Sequence, residues 1–421
     1  MDKEQSKGPE PKSTLLVGGG IVGLASAYAL ARDGGQVTVI DQGPIERRAS
    51  SATAGIIGGS SVIPWASSRL WPRVPGHLLN RDGPLRVSYP WPRNLAGYVA
   101  RSVLSGRSIP RQKSSAGLAN LGLRGWDAWQ SLLEGLPEAR QMFEQNGCLF
   151  FYATPEQRRA DAAGNALRRS FGMDLSELDA GEMKAILPPL ACDVAGGVRV
   201  NAAGHVLDPI GLQQCLRAAV EALGGRFIAQ SVAGFETVGQ RVTSITTDDG
   251  ASHAADAIVL CAGAGSRALA AQLGHKVQMI PAWGASVTFT NPSVQVTAPL
   301  LLQSDGIAVT PSKSGLRVSG LLQLGGGGKA DAMIATLTRK VQHLFGVFSY
   351  TDMLSFTGAR PLTADSLPCL GPDPHFQNVF HNFGHGHWGL TQASTSALVI
   401  SDLVRDRTPR IDISSYGPDR F

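Results

Sequence analysis

The stretch Thr14-Leu15-Leu16-Val17-Gly18-Gly19-Gly20-Ile21-Val22-Gly23, continued by Ala- and Leu-rich sequence to Arg32 and then by Gln36-Val37-Thr38-Val39-Ile40-Asp41, decides the fold. Residues 14–17 form an apolar run long enough for a buried parallel strand. Gly18, Gly20 and Gly23 follow in GxGxxG spacing. Residues 21–32 read as a helix stopped by Gly34-Gly35, and residues 36–40 as a second strand closed by Asp41. In such a βαβ unit the first glycine allows the tight turn, the second admits a pyrophosphate against the backbone, and the third lets helix and strand pack closely. The helix start, with Ile21 and Val22, offers N–H groups and a positive dipole end to phosphate. Asp41, with Gln42 beside it, is placed to accept hydrogen bonds from ribose hydroxyls.

The unit is therefore read as a dinucleotide site. An acid at position 41 fits NAD or FAD and disfavours NADP. The plainer alternative is a glycine-rich turn with no ligand. Residues 15–31 are uncharged, but they are short for a membrane span and are broken by three glycines. The chain is expected to be soluble, or peripheral to a membrane at most.

Outward from the fingerprint, residues 43–92 are rich in Gly and Pro. Trp126, Trp129, Leu132, Leu133 and Leu136 predict a helix, and more helix is expected over 155–186. An α/β pattern returns with a helix at 209–223 and strands at 226–235, 242–247 and 257–261. Strands are expected at 277–280, 285–290, 307–310 and 316–319, a glycine turn at 325–328, and a helix at 333–345. A strand at 379–383 and a helix from about Thr391 to Val404 close the pattern. The nucleotide-type pattern thus appears three times with two different blocks between, which predicts two interleaved domains. The expected division is 13–85, 191–275 and 356–421 for the nucleotide domain, and 86–190 with 276–355 for the other.

At 421 residues the chain has room for two or three domains, and 43% hydrophobic against 17% charged residues excludes a mostly disordered protein. The net charge of +5 is mild, and no basic tail or aromatic–basic interleaving points to nucleic acid. The five cysteines, Cys148, Cys192, Cys215, Cys261 and Cys369, show no paired or metal-ligand spacing. They fit a reducing compartment, and no metal is expected.

Two further constellations bear on the ligand. Residues 257–260 with Cys261, Ala262 and Gly263 read as a buried strand opening on a small-residue turn. Gly384, Gly386 and Gly389 precede the last helix, whose N-terminus could stabilise negative charge on a reduced flavin ring. Late sequence returning to complete a cofactor site is expected of a flavoprotein with discontinuous domains.

These residues carry a resemblance. The chain resembles the FAD-dependent D-amino-acid oxidase/dehydrogenase superfamily over residues 17–41, 49–59, 204–209, 256–263, 358–371 and 382–391, and matches poorly over 65–190. It looks most like bacterial D-amino acid dehydrogenases. Arg360-Pro361, Asp365-Ser366-Leu367-Pro368 and Gly384-His385-Gly386-His387-Trp388-Gly389-Leu390-Thr391 are similar to the D-hydroxyproline dehydrogenase branch. The resemblance implies a mixed α/β fold, with a glutathione-reductase-type Rossmann FAD-binding domain interleaved with an antiparallel-sheet substrate domain. It implies non-covalent FAD. It places Ser50, Ala54, Gly55 and Ile56 under the pyrophosphate and towards the ring, Val232 against adenine, and Gly386, His387, Gly389, Leu390 and Thr391 around the isoalloxazine.

Arg360 then occupies the position that grips a substrate carboxylate, His387 the flavin edge or a substrate hydroxyl, and Trp283 the substrate side where relatives carry a basic residue. Gln323 stands where many relatives carry Glu. The implied reaction is hydride transfer from Cα of a D-amino acid, for example D-hydroxyproline or D-proline, to flavin N5, giving an imine. Electrons would pass to a carrier protein or quinone, in the cytoplasm or at the inner-membrane surface, from a homo- or hetero-oligomer. Two alternatives stand beside it. One is an oxygen-using oxidase of glycine, sarcosine or N-substituted amino acids, opines included. The other is a nucleotide-binding protein without redox activity. Simpler roles are a structural ion pair for Arg360, packing or capping for His385, and core positions for Trp65, Trp71 and Trp91.

Overall fold

The computed structural model describes residues 13–45, 48–58, 62–65, 83–327 and 330–421. Much of the turn-rich stretch, with Trp71 and Gly59, and the end of the 325–328 glycine turn lie outside the described residues.

The fingerprint folds as its sequence dictates. Strand Ser13–Val17 leads to helix Ile21–Arg32 and strand Gln36–Ile40. They belong to a six-stranded sheet in the order Arg226–Ile228, Gln36–Ile40, Ser13–Val17, Ala257–Leu260, Val379–Phe383, Cys369–Pro372. The first five run parallel and the last is antiparallel. Parallel strands need cover on both faces. Accordingly Ile21–Arg32 is buried along nearly its whole length. It packs with Pro209–Ala222 and Gly389–Val404 in one apolar cluster. A meander of Val232–Val238, Arg241–Thr247 and Ser252–His253 lies in a separate three-stranded sheet.

The second body is a nine-stranded sheet built around Met279–Thr290, which pairs antiparallel with Gly315–Gly325 on one side and Asp352–Thr363 on the other. Helix Ala330–Phe345 covers one face through Met333, Leu337, Val341 and Leu344. The sheet is mostly antiparallel, as expected. Two of its pairs are parallel: Leu300–Leu302 with Cys148–Tyr152, and Leu85–Ser88 with Gly315–Gly325.

Several local expectations change. The single strand expected over 226–235 is two strands in different sheets, because Ile228 ends beside Ile40 and the chain turns before Val232. The strands expected at 277–280 and 285–290 are one continuous strand that carries a bulge near Gly284. Helices Leu95–Ser105 and Ser108–Gly122 were not visible in the sequence. Strand Asp352–Thr363 runs through the boundary placed at residue 356 and lies wholly in the nine-stranded sheet. Gly196–Val200 is in that sheet too. Conversely, helix Gly125–Leu132 from the middle block packs on Gly389–Val404, and the Trp129 indole N–H donates to Leu390 O at 2.9 Å. Trp91 is exposed, not a core residue.

Candidate active site

Every strand of the parallel set ends on the same edge, and the connections there enclose a cavity of about 730 Å³. The crevice beyond the carboxyl ends of parallel strands is where such sheets bind ligands. Of the residues expected at a cofactor, Gly18, Gly20, Ile21, Val22, Asp41, Gln42, Ser50, Val232, Cys261, Ala262, Gly263, Gly386, His387, Gly389 and Leu390 all line it. Arg360 and Trp283 line it as well.

At one end the geometry is that of a polyphosphate cradle. Gly18 has φ +109°, and a Cβ there would lie 2.5 Å from Cys261 O. Only glycine lets the two strand ends approach this closely. Gly23 does not line the cavity; a Cβ there would sit 2.0 Å from Gly18 O, so its absence sets the distance between helix and turn. Ile21 N–H, at the helix start, donates to Ser50 Oγ at 2.9 Å. Asp41 accepts from Gly19 N–H at 2.6 Å, Gly43 N–H at 3.1 Å and the Arg48 guanidinium at 2.9 Å. Among the described residues, the buried Arg48 Nε and Nη1 have no partners. A cation with spare donors beside a glycine-lined helix N-terminus fits the diphosphate of a dinucleotide.

Arg48 was not singled out from the sequence, since its part depends on the contact with Asp41. Gln42 and Ser231 meet through their side chains at the same end, next to Val232. The Cys261 thiol donates to Gly18 O at 3.3 Å, and burial holds its pKa well above the ordinary thiol value. It is a packed thiol, not a nucleophile.

Ala54, Gly55, Ile56 and Thr391 stand behind the cavity wall. Ile56 pairs with His205 in a small sheet, and Gly55 O accepts from Val206 N–H at 2.8 Å. Thr391 Oγ1 donates to Ile56 O at 3.2 Å. The last helix starts at Gly389, two residues before the expected position, so Gly389 and Leu390 face the cavity and Thr391 faces the Ile56 strand.

The other end is different in chemistry. Arg360 projects from strand Asp352–Thr363, opposite Ala282 in the register. Its Nη1 donates to Leu321 O at 2.7 Å, and Leu321 has φ 58°, unusual for a side chain with a Cβ. Among the described residues no carboxylate pairs with Arg360. Burial alone lowers its pKa to about 10, so it stays charged near neutrality. Gly284 leaves the space it occupies, since a Cβ there would lie 2.2 Å from Arg360 Nη1. Gly284→Ala is expected to displace the guanidinium, raising KM for a carboxylate substrate while flavin content stays unchanged. Equal KM values for the two proteins would refute this.

The His387 ring lies 5.5 Å from that of Trp65, tilted by 44°. Desolvation in the cavity wall, and then the Arg360 charge, lower its pKa. His385 is buried, with Nε2 unpartnered among the described residues, and burial lowers its pKa to about 3. It is packed, as expected, and also lines the cavity. Gln323 sits opposite Trp283 and donates to Gly325 O at 3.2 Å. Among the described residues, the His and Asp groups close enough to share an ion are His275 with His375 and Asp419, and His275 with Asp373 and His381; neither includes His385 or His387.

The buried histidines fix how stability depends on pH. His385 near 3 and His205 near 4 are lowered by burial from an ordinary value near 6.5. The unfolded chain therefore binds more protons between about 6.5 and 4, and stability falls as pH falls through that window. His275 shifts the other way, held up by Asp373 and Asp419, so its contribution is complete below about 6.5 and is lost only above it. The denaturation midpoint should fall between pH 6 and pH 4, and His385→Asn should flatten that slope. An identical slope in the variant would show that His385 is not buried neutral.

Comparison with known proteins agrees with this geometry. The model of a family described as FAD dependent oxidoreductase matches residues 14–403. A D-amino acid dehydrogenase of Methylobacterium radiotolerans is 32% identical over 97% of this chain and 99% of its own length. A D-amino-acid oxidase of Bradyrhizobium diazoefficiens is 29% identical over 98% of this chain and 100% of its own. The crystal structure of glycine oxidase from Geobacillus kaustophilus superposes with a TM-score of 0.75 at 21% identity, covering 97% of this chain and 99% of that one.

Proposed function

For a chain that belongs to the FAD dependent oxidoreductase family, we propose that the Arg360 end of the cavity oxidises a D-amino acid. The observation that carries the reading is a partly buried guanidinium in the cavity wall with no anionic partner among the described residues. A desolvated charge without a counter-charge is costly, and a carboxylate is the ligand that its planar fork matches. The names of the two sequence relatives support the same class.

The residues act by orientation. FAD, when bound at the glycine-lined end, supplies the hydride acceptor. Arg360 holds the substrate carboxylate and so fixes where the Cα–H bond points. The Arg360 charge disfavours a second positive charge on His387 beside it. Asp41, the one acidic residue among the described lining residues, is committed to Gly19, Gly43 and Arg48 at the far end. No carboxylate base is therefore available near Arg360 among those residues. The amine reacts in its neutral form: its lone pair forms the C=N bond as the hydride leaves, and water hydrolyses the imine.

Within this class the reading extends to a cyclic secondary amine such as D-hydroxyproline or D-proline, with His387 facing the ring substituent. The acceptor of the electrons is a carrier protein or quinone. The oxidase among the relatives favours one second reading, in which dioxygen is the acceptor. Two measurements test these statements. Anaerobic addition of D-amino acids should bleach the yellow protein, cyclic ones fastest, and L-isomers should not. Failure of every D-amino acid refutes the substrate class, and faster bleaching by acyclic ones refutes the cyclic extension. Turnover in air should be far below turnover with a dye acceptor; peroxide formed at the full rate would establish the oxygen-using reading.

A further inference from the structure

Beside strand Val379–Phe383, and outside the cavity, histidines and carboxylates from separate segments meet. His275 follows helix Ser266–Gln272, and its side chain is fully buried. Its Nε2 lies 2.7 Å from Asp373 Oδ2, which His381 Nε2 also meets at 2.9 Å. Asp373 and His381 are buried as well. The other Asp373 oxygen accepts from His375 N–H at 2.7 Å and Phe376 N–H at 3.0 Å, which holds the carboxylate in one orientation. Asp373 thereby fixes the His275 ring, with Nδ1 turned the other way. That atom lies 2.6 Å from Asp419 Oδ1, in the short turn Pro418–Arg420. His375 Nε2 lies 3.8 Å from Asp419 Oδ2, and both of these side chains are about half exposed.

We propose that His275 Nδ1, His375 Nε2 and the Asp419 carboxylate bind a divalent zinc ion, with water completing its shell. The ligand atoms lie within 4.8 Å of one another. Two imidazoles and a carboxylate are a donor set that suits zinc, which takes three protein ligands and a water where a site opens to solvent. An imidazole that ligates a metal through one nitrogen almost always engages a carboxylate, carbonyl or water through the other, and Asp373 stands in that place on His275. Charge agrees: Asp373 and Asp419 set two negative charges against His275, of which one ring proton offsets only one.

The His275 and His375 rings are 14° from parallel with centroids 5.1 Å apart, so the His375 ring turns about its Cβ–Cγ bond to face the ion, and its exposure leaves room to do so. The ion ties the end of the chain to the parallel sheet. Arg420, next to Asp419, meets the Asp365 carboxylate at 2.7 and 3.1 Å, just beyond the strand that carries Arg360. The role is structural, since neither the ligands nor Asp373 line the cavity. With ligands at positions 275, 375 and 419, the sequence shows no metal-ligand spacing.

The test uses the flavin-loaded, untagged full chain, stripped with a chelator and titrated with cobalt(II) as a coloured stand-in for zinc. One equivalent should bring up the absorption of a four-coordinate cobalt site to the red of the flavin bands, and zinc should abolish it. Zinc at roughly a hundred times its Kd should raise Tm by about 3 °C. His375→Ala and Asp419→Asn should each weaken binding by roughly a hundredfold or more. His343→Ala, which removes an exposed histidine from helix Ala330–Phe345, should bind as the parent does. All three variants should keep flavin content and dye-linked turnover, because none of these residues lines the cavity. Three results would overturn the proposal: no cobalt band in the parent chain, a Tm that zinc leaves unchanged, or equal binding by His375→Ala and Asp419→Asn. Each would leave His275 as a hydrogen-bonded bridge between two carboxylates, and none depends on which amino acid the cavity oxidises.

Discussion

Replacing Arg360 by Met should lower kcat/KM for the oxidised amino acid by roughly 10²–10⁴-fold, the equivalent of about 3–5 kcal/mol for breaking a buried charge pair. The loss has two sources. The substrate carboxylate would enter a desolvated pocket with no counter-charge, and its Cα–H would no longer be aimed. The flavin end should not notice. Asp41, Arg48 and the Gly18–Gly23 turn lie at the other end of the cavity and share no hydrogen bond with Arg360. Stability should change little, because a partly buried cation with no counter-charge among the described residues is removed along with its bond to Leu321 O, and Met fills similar volume. Rapid-mixing reduction of the flavin reads the first effect, and flavin content with Tm reads the second. A variant that reduces at the parent rate would remove Arg360 from the substrate site. Arg360→Lys should recover only part of the loss, since a point charge cannot reproduce the planar fork.

Gly23→Val should yield no flavin-loaded protein. Its first side-chain carbon would lie 2.0 Å from Gly18 O and 3.0 Å from the Cys261 sulfur. The nearer neighbour is backbone and cannot rotate away. Ordinary overpacking costs about 1–3 kcal/mol, and this overlap is worse, in a protein whose whole stability is of order 5–15 kcal/mol. The helix must lift from its strand, which opens the phosphate end of the cavity. Gly417→Ala is the control, as nothing lies within 4 Å of a Cβ there. Flavin stoichiometry after purification separates the two. A yellow Gly23→Val protein with parental Tm would show that the close approach is not needed.

The fingerprint was legible because its signals are local: glycine spacing, an apolar run and a terminal acid determine Ser13–Ile40 almost to the residue. Arg360, His387 and Gly386 were legible through resemblance, and the cavity does gather them. What the sequence hid depends on distant partners. The division of residues 226–235 between two sheets is decided by Ile40, and the boundary at 356 fails because Met279–Thr290 pairs with Asp352–Thr363 along its whole length. Arg48 was missed because its role exists only once Asp41 and the helix start are beside it. The last helix starts two residues earlier than its sequence suggests, and at 100° per residue that turns the Thr391 side chain to Ile56 O.

The seam between Gly125–Leu132 and the beginning of Gly389–Val404, fastened by Trp129 on the Leu390 carbonyl, has a consequence for biosynthesis. The first strand of the coenzyme crevice is synthesised long before Val379–Val404, yet the crevice has no floor until that later segment has docked. Tight capture of the flavin is therefore expected to wait until Val379–Val404 has been made and threaded home.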